Sequence, residues 1–261
     1  MERDPDARAL FVTAAGTEIG KTLVTAALVH QLREAGRPVR ALKPVISGLD
    51  EVSPADSDSG RLLAALGRPV NADGIAKVSP WRFGAPLSPH MAAAAEGREI
   101  DFDALVAFCQ AEADACAAAG ETLLIEGVGG AMVPVTTRKT VLDWIAALGL
   151  PAVLVGGSYL GALSHTLTAA RALECEGIAI AAAVIGESGE NDVGLAPTVE
   201  TLRGFLPTTP VVALPRIRAA GAVWRAAPPL LGPILPGQSE TGSLTAGDFR
   251  ASRKPSHHAG G

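Results

Sequence analysis

Apolar and polar positions alternate along this chain with two periods that succeed one another. Residues 8–13 form a short apolar run of strand length, and residues 22–35 then place Leu23, Ala26, Ala27, Val29 and Leu32 on one helical face, closed by Gly36. A second strand is predicted over 39–42. Asp58 opens a helix through Leu62, Leu63 and Leu66. Residues 49–57 read as an acidic loop, and residues 68–90, with four prolines, as a long irregular loop. An Ala-rich helix follows over 101–119, with Asp101 or Asp103 as its cap. Further strands are predicted at 122–126, 151–155, 178–185 and 211–214, and further helices at 140–148 and 163–174. Strands alternating with helices call for a mostly parallel central sheet with helices on both faces. The alternation runs to about residue 217 without a linker, which predicts one α/β domain over 1–217. From 218 to 261 the pattern dissolves into an irregular tail, and residues 237–261, rich in Gly, Ser and charge, are expected to be disordered.

The first strand carries the strongest chemical signal. Phe11-Val12-Thr13-Ala14-Ala15-Gly16-Thr17-Glu18-Ile19-Gly20-Lys21-Thr22 runs from a strand through a turn into a helix and ends in Gly-Lys-Thr, the form of a phosphate-binding P-loop. Backbone N–H groups of residues 16–22, including those of Gly16, Thr17, Glu18, Ile19 and Gly20, would face phosphate oxygens at the positive end of a helix dipole. Lys21 would reach the terminal phosphates and Thr22 would ligate Mg²⁺. The domain is therefore expected to be of the P-loop NTPase type. Ala15 stands where the strict pattern has Gly.

Composition narrows the setting. The chain has 261 residues, a net charge of −5 and only 4% aromatic side chains, so its core is built from small aliphatics. Its acidic balance argues against nucleic acid as a partner. Residues 1–9 lack an apolar secretory segment, and no apolar run has the length of a membrane span. Cys109, Cys116 and Cys175 lie in helical patterns without metal-ligand spacing, and are expected to be buried free thiols. These readings predict a cytoplasmic protein with no membrane partner.

In an open parallel sheet, ligands bind beyond the carboxyl ends of the strands. Lys43 follows the second strand directly, with Ser47 close behind, and offers a second cation to a phosphate or carboxylate. Glu126 ends an apolar strand and precedes Gly127-Val128-Gly129-Gly130; a carboxylate there helps to hold Mg²⁺, and the glycines allow a backbone to approach a ligand. Asp58 combines the roles of helix cap and metal carboxylate, with Asp56 competing for the second.

Five ordered pieces together resemble the dethiobiotin synthetase family: residues 17–22, Lys43-Pro44-Val45-x-Ser47-Gly48, Ser88-Pro89-His90, Glu126-Gly127-x-Gly129-Gly130, and Leu160-Gly161-x-Leu163-Ser164-His165. The resemblance spans about residues 10–215. It implies an ATP-dependent ligase of biotin synthesis that closes a ureido ring on 7,8-diaminononanoate with CO₂ or bicarbonate, through a carbamate and its phosphorylated form. It further implies catalytic roles for Lys21, Lys43, Thr17 and Ser47, and Mg²⁺ held by Thr22, Asp58 and Glu126. Leu160, Gly161 and Ser164 match the part that reaches across a homodimer interface to the substrate. An adenine-reading Asn of the family falls at Gly186, which has no side chain to read a base, leaving backbone around Pro215; other nucleoside triphosphates are then expected to serve beside ATP. An Ala methyl in the P-loop is expected to loosen the phosphate cradle. The rival reading is a partition- or septum-positioning P-loop ATPase, whose extra P-loop lysine falls at Gly16.

Overall fold

A computed structural model describes residues 9–50, 52–189 and 193–235. In chain order the elements are β1 (Ala9–Ala14), α1 (Lys21–Glu34), β2 (Val39–Leu42), β3 (Val45–Ser47), α2 (Asp58–Ala65), α3 (Ala72–Val78), β4 (Trp81–Phe83) and α4 (Pro89–Ala95). They continue as α5 (Phe102–Ala119), β5 (Thr122–Glu126), α6 (Val141–Leu148), β6 (Ala152–Gly157), α7 (Ala162–Cys175), β7 (Ile180–Gly186), α8 (Leu195–Phe205), β8 (Val211–Leu214) and α9 (Leu231–Ile234). Short 3₁₀ turns occupy Pro54–Asp56 and Val223–Ala226.

Six strands form one parallel sheet in the order β2-β5-β1-β6-β7-β8. The expected α/β fold with helices on both faces is what the chain adopts. Alternation along β1 explains the layers: Leu10, Val12 and Ala14 join the apolar cluster of α1 and α2, while Phe11 joins that of α5, α6 and α7. On this second face Phe11 meets Trp144 edge-on, with ring centroids 4.9 Å apart. Because β1 lies between β5 and β6, the turns after these three strands open at one point of the sheet's carboxyl edge.

Several local expectations are corrected. Residues 68–90 are not an irregular loop: they contain α3, capped by Asn71, and β4, which pairs in parallel with β3 so that Ser47 lies beside Phe83. The turn signals of four prolines mask elements this short. Helix α8, which carries Pro197 in its first turn, was absent from the predicted elements, because Gly194 gives it no side-chain cap. Ser57, not Asp58, caps α2, its hydroxyl accepting from the Gly60 N–H at 3.0 Å. Asp101 is the cap of α5. Cys109 and Cys116 are buried free thiols as expected, whereas Cys175, at the end of α7, is exposed. From residue 218 to 235 the chain is largely irregular but packed. Trp224, Leu230, Ile234 and Leu235 are buried in the cluster shared with α1, and the proline-rich sequence hides this packing. The disorder expected for 237–261 lies outside the described residues. Among the described residues no helix is long and apolar enough to cross a membrane.

Candidate active site

The turn after β1 is built as a phosphate cradle. Gly20, with φ 105°, lies in a backbone region that side chains disfavour, and it delivers the chain into α1 with Lys21 and Thr22 in the first turn. Ala15 does not disturb this arrangement. Its N–H donates to the Val155 carbonyl at 2.9 Å, it packs against the core, and it does not line the cleft, so the expected loosening by its methyl has no basis in the geometry. The strained position is Glu18, which takes φ 58° without being glycine, at a cost of about 1–2 kcal/mol.

The turn after β5 folds over the end of β1. Gly127 donates to Val12 and Ala131 to Ala14. A side chain at Gly127 would strike Phe11 at 2.8 Å, and one at Gly130 would press on Ala14 and Gly16 backbone at 3.3 Å. The lack of a side chain thus lets Gly127 pack on the Phe11 ring of β1 and lets Gly130 meet the turn after β1. Of the three, Gly129 alone lines the cleft.

Between these turns lies a cleft of about 770 Å³ lined by Thr17, Lys21, Thr22, Lys43, Ser47 and Asp58, among others. Glu126, fully buried at the end of β5, lies behind the lining residues Lys43 and Thr22 and bonds to both. The Lys43 ammonium, also buried, donates to Glu126 Oε1 at 2.8 Å and to the Gly127 carbonyl at 3.2 Å, and lies 2.9 Å from Asp58 Oδ2. Thr22 Oγ1 donates to the same Glu126 oxygen at 2.7 Å. Lys21 Nζ sits 3.4 Å from the Gly16 carbonyl. Two lysines, two carboxylates and the Thr22 hydroxyl thus converge from the start of α1, the end of β2, the start of α2 and the end of β5.

Electrostatics separate the two lysines. Burial, and then the neighbouring Lys43 charge, lower the Lys21 ammonium to a pKa of about 8, against a smaller opposing pull from Glu126 and Asp58. Burial acts on Lys43 in the same direction, but the attraction of Glu126 and Asp58 outweighs it and holds Lys43 above its ordinary value. For Asp58, burial is likewise overridden by Lys43, which keeps the carboxyl below its ordinary range.

The oxygen set fits a hard divalent cation. Thr22, Asp58 and Glu126 offer a hydroxyl and two carboxylates, and Glu126 Oε2 is buried without a hydrogen-bond partner. No group of three or more His, Cys, Asp or Glu side chains forms a metal cluster among the described residues, so phosphate oxygens and water would complete such a shell. Asp56 is exposed on its 3₁₀ turn and does not line the cleft, which leaves Asp58 as the carboxylate in position.

A second cavity of about 330 Å³ adjoins the first through Glu18, Gly20 and Leu23, and is lined by Gly186 and Pro215 as well. Leu160, Gly161 and Ser164 sit at the turn from β6 into α7, where Leu160 is 88% exposed; none of the three lines the cleft of its own chain. Pattern reading missed Arg61, which follows Asp58 by three residues on α2 and lines the cleft. The helical i, i+3 spacing was the available signal. It also missed Ile217 and Val223, which line the second cavity and carry no motif.

A family model described as an AAA domain matches residues 8–222. The ATP-dependent dethiobiotin synthetase of Acidiphilium cryptum (strain JF-5) is 54% identical over 201 residues, covering 77% of this chain and 89% of that protein. That of Phenylobacterium zucineum (strain HLK1) is 43% identical over 207 residues, covering 79% and 88%. Among solved structures, the MinC:MinD cell division protein complex of Aquifex aeolicus matches with a TM-score of 0.51 at 13% identity, over 85% of this chain and 87% of that chain, a likeness of fold alone. At this level of identity over most of both sequences, the chain belongs to the family of ATP-dependent dethiobiotin synthetases, which are ligases.

Proposed function

We propose that this protein closes the ureido ring of dethiobiotin from 7,8-diaminononanoate and CO₂ at the expense of ATP, in the cytoplasm and as a homodimer. The observation that carries the reading is the convergence of Lys21, Lys43, Thr22, Asp58 and Glu126 on one cleft at the sheet's carboxyl edge. Lys21 and the backbone of residues 16–22 bind and align the triphosphate. Mg²⁺, held by Thr22, Asp58 and Glu126, supplies charge neutralisation at the outer phosphates when bound. Thr17 and Ser47 orient the diamine and its carbamate by hydrogen bonds.

One amine adds to CO₂ and loses a proton, giving a carbamate. A carbamate oxygen attacks the γ-phosphorus, and the bond to the bridging oxygen breaks to release ADP. The second amine then attacks the carbamoyl carbon, loses a proton and expels phosphate, closing the ring. Lys43, charged because Glu126 and Asp58 sustain it, stabilises the negative oxygens of the carbamate and the transferring group. The turn bearing Leu160, Gly161 and Ser164 completes the diamine site of a second protomer, which suits its exposure and its absence from the cleft of its own chain. Gly16, where the partition-type ATPases carry their extra lysine, favours this reading over a nucleotide-switched binding protein.

The test is purified protein with diaminononanoate, bicarbonate, Mg²⁺ and each of four nucleoside triphosphates, followed by product mass and phosphate release. One ring product per phosphate is expected. Nucleotide hydrolysis without a ring product would overturn the reading.

A further inference from the structure

Beyond β8 the chain turns back over α1. Trp224, Leu230, Ile234 and Leu235 are buried in the same apolar cluster as Leu28 and Leu32 of α1. A single polar side chain ties this segment down. Gln31, half-buried on α1, accepts at Oε1 from the N–H groups of Leu230 at 2.8 Å and Leu231 at 3.1 Å, and donates from Nε2 to the Pro228 carbonyl at 2.8 Å. Three backbone groups of a segment with little regular structure are thereby satisfied from one residue.

The other end of the same segment reaches the second cavity. Ile217 and Val223 line it together with Ile19, Leu23, Leu214 and Pro215, and the space is continuous with the phosphate-binding turn. The matched family region ends at residue 222, and the residues that Gln31 holds lie past that limit. Of the polar residues that line the cavity, Ser188 exchanges hydrogen bonds between hydroxyl and backbone N–H with Ser158, and Glu187 accepts from the Arg216 N–H at 2.8 Å, while the charged Glu18 and Arg216 also border the space. Ile19, Leu23, Ile217 and Val223 offer a ligand an apolar wall there, suited to the face of a flat heterocycle.

We propose that Gln31 is a positioning residue for the nucleotide base: by pinning residues 228–231 to α1, it holds Val223 and Ile217 as the outer wall of the base cavity. The inference rests on the nucleotide-binding reading above. Every base has an apolar face, so a wall of this kind adds affinity without choosing among bases.

The experiment measures dissociation constants of the full-length protein for ATP, CTP and tripolyphosphate, the last lacking any base, at fixed Mg²⁺. Gln31→Leu removes all three hydrogen bonds; Gln31→Glu keeps the acceptor for the two N–H groups; Val223→Ser alters the wall and leaves the pins intact. Gln31→Leu and Val223→Ser are expected to weaken ATP and CTP alike by about five- to tenfold, with tripolyphosphate unchanged. Gln31→Glu should recover most of the loss. Should Gln31→Leu fail to fold, Gln31→Glu, which loses only the bond to the Pro228 carbonyl, carries the same comparison with a smaller expected loss. Unchanged ATP affinity, or an equal loss for tripolyphosphate, overturns the positioning role. A wild-type protein that binds neither ATP nor tripolyphosphate overturns the nucleotide reading itself, and this inference with it.

Discussion

Lys21 and Lys43 are both buried lysines of one cleft, yet their surroundings assign them different tests. Lys21→Ala removes phosphate charge stabilisation from a side chain with no carboxylate within ion-pair distance among the described contacts. It is expected to lower turnover by about two to four decades, a loss of roughly 3–5 kcal/mol, with the melting transition retained. Turnover near wild type would remove Lys21 from the mechanism. Lys43→Ala strands Glu126, whose other oxygen already lacks a partner. It should therefore cost about 3–5 kcal/mol of stability at neutral pH as well as phosphoryl transfer, and urea denaturation beside single-turnover phosphate release separates the two losses. Gly186 sets the expectation for base selectivity. Without a side chain there, CTP, GTP and UTP should serve within about tenfold of ATP, or roughly 1.4 kcal/mol. A Cβ at this position would meet Ile19 O at 3.5 Å, an ordinary contact, so Gly186→Asn can be built. That variant should raise the preference for ATP in kcat/KM comparisons of the four nucleotides.

At the scale of elements, the start of α2 links folding to the site. Ser57 caps the helix and Asp58, the next residue, points its carboxylate at Lys43. Ser57→Ala should destabilise the protein by about 1 kcal/mol and raise the Mg²⁺ concentration needed for half-maximal activity, because a frayed first turn no longer holds Asp58 in place. Thr140→Ala is the control. It breaks the capping box that Thr140 forms with Asp143 on α6, and neither residue lines the cleft. A similar stability loss with an unchanged Mg²⁺ requirement is expected there.

For the whole molecule, pH reports on the charge balance of the cleft. Lys21 is charged below about pH 8 in the ligand-free protein and loses its proton as pH rises through that value. Nucleotide binding favours the charged form, so its affinity should fall above about pH 8, and the bound triphosphate should raise the Lys21 pKa. The alkaline limb of kcat/KM is then expected near pH 8, with that of kcat displaced to higher pH; coincident limbs would assign the titration to another group. Assembly is tested separately. If the Leu160–Ser164 turn completes a second protomer's site, Leu160→Asp should yield monomers by sedimentation and weaken diaminononanoate binding without changing that of tripolyphosphate.

Local patterning by itself determined the parallel α/β architecture and the phosphate-binding turn. Strand-to-helix alternation, Gly-Lys-Thr after an apolar run, and Glu126 at a strand end all follow from contacts made within a few residues. Lys43 and Asp58 were legible as candidates for the same reason: each stands at the end of an element with a recognisable boundary. Their pairing was not, because the sheet order sets β2 beside β5 and only the packing of α2 on β2 brings Asp58 to Lys43. Local signals also misread residues 68–90, where proline suggested loop, and gave no sign that the irregular segment 218–235 packs against α1. Both segments owe their form to partners distant in sequence, β3 for the first and α1 for the second. Tertiary structure alone decided that Ala15 packs against the core, that Gly127 and Gly130 sit in close contact with β1 and its turn, and that Gln31 bonds to the backbone of residues 228–231. Each depends on which surfaces the folded chain brings within contact distance, and no short stretch of residues encodes that.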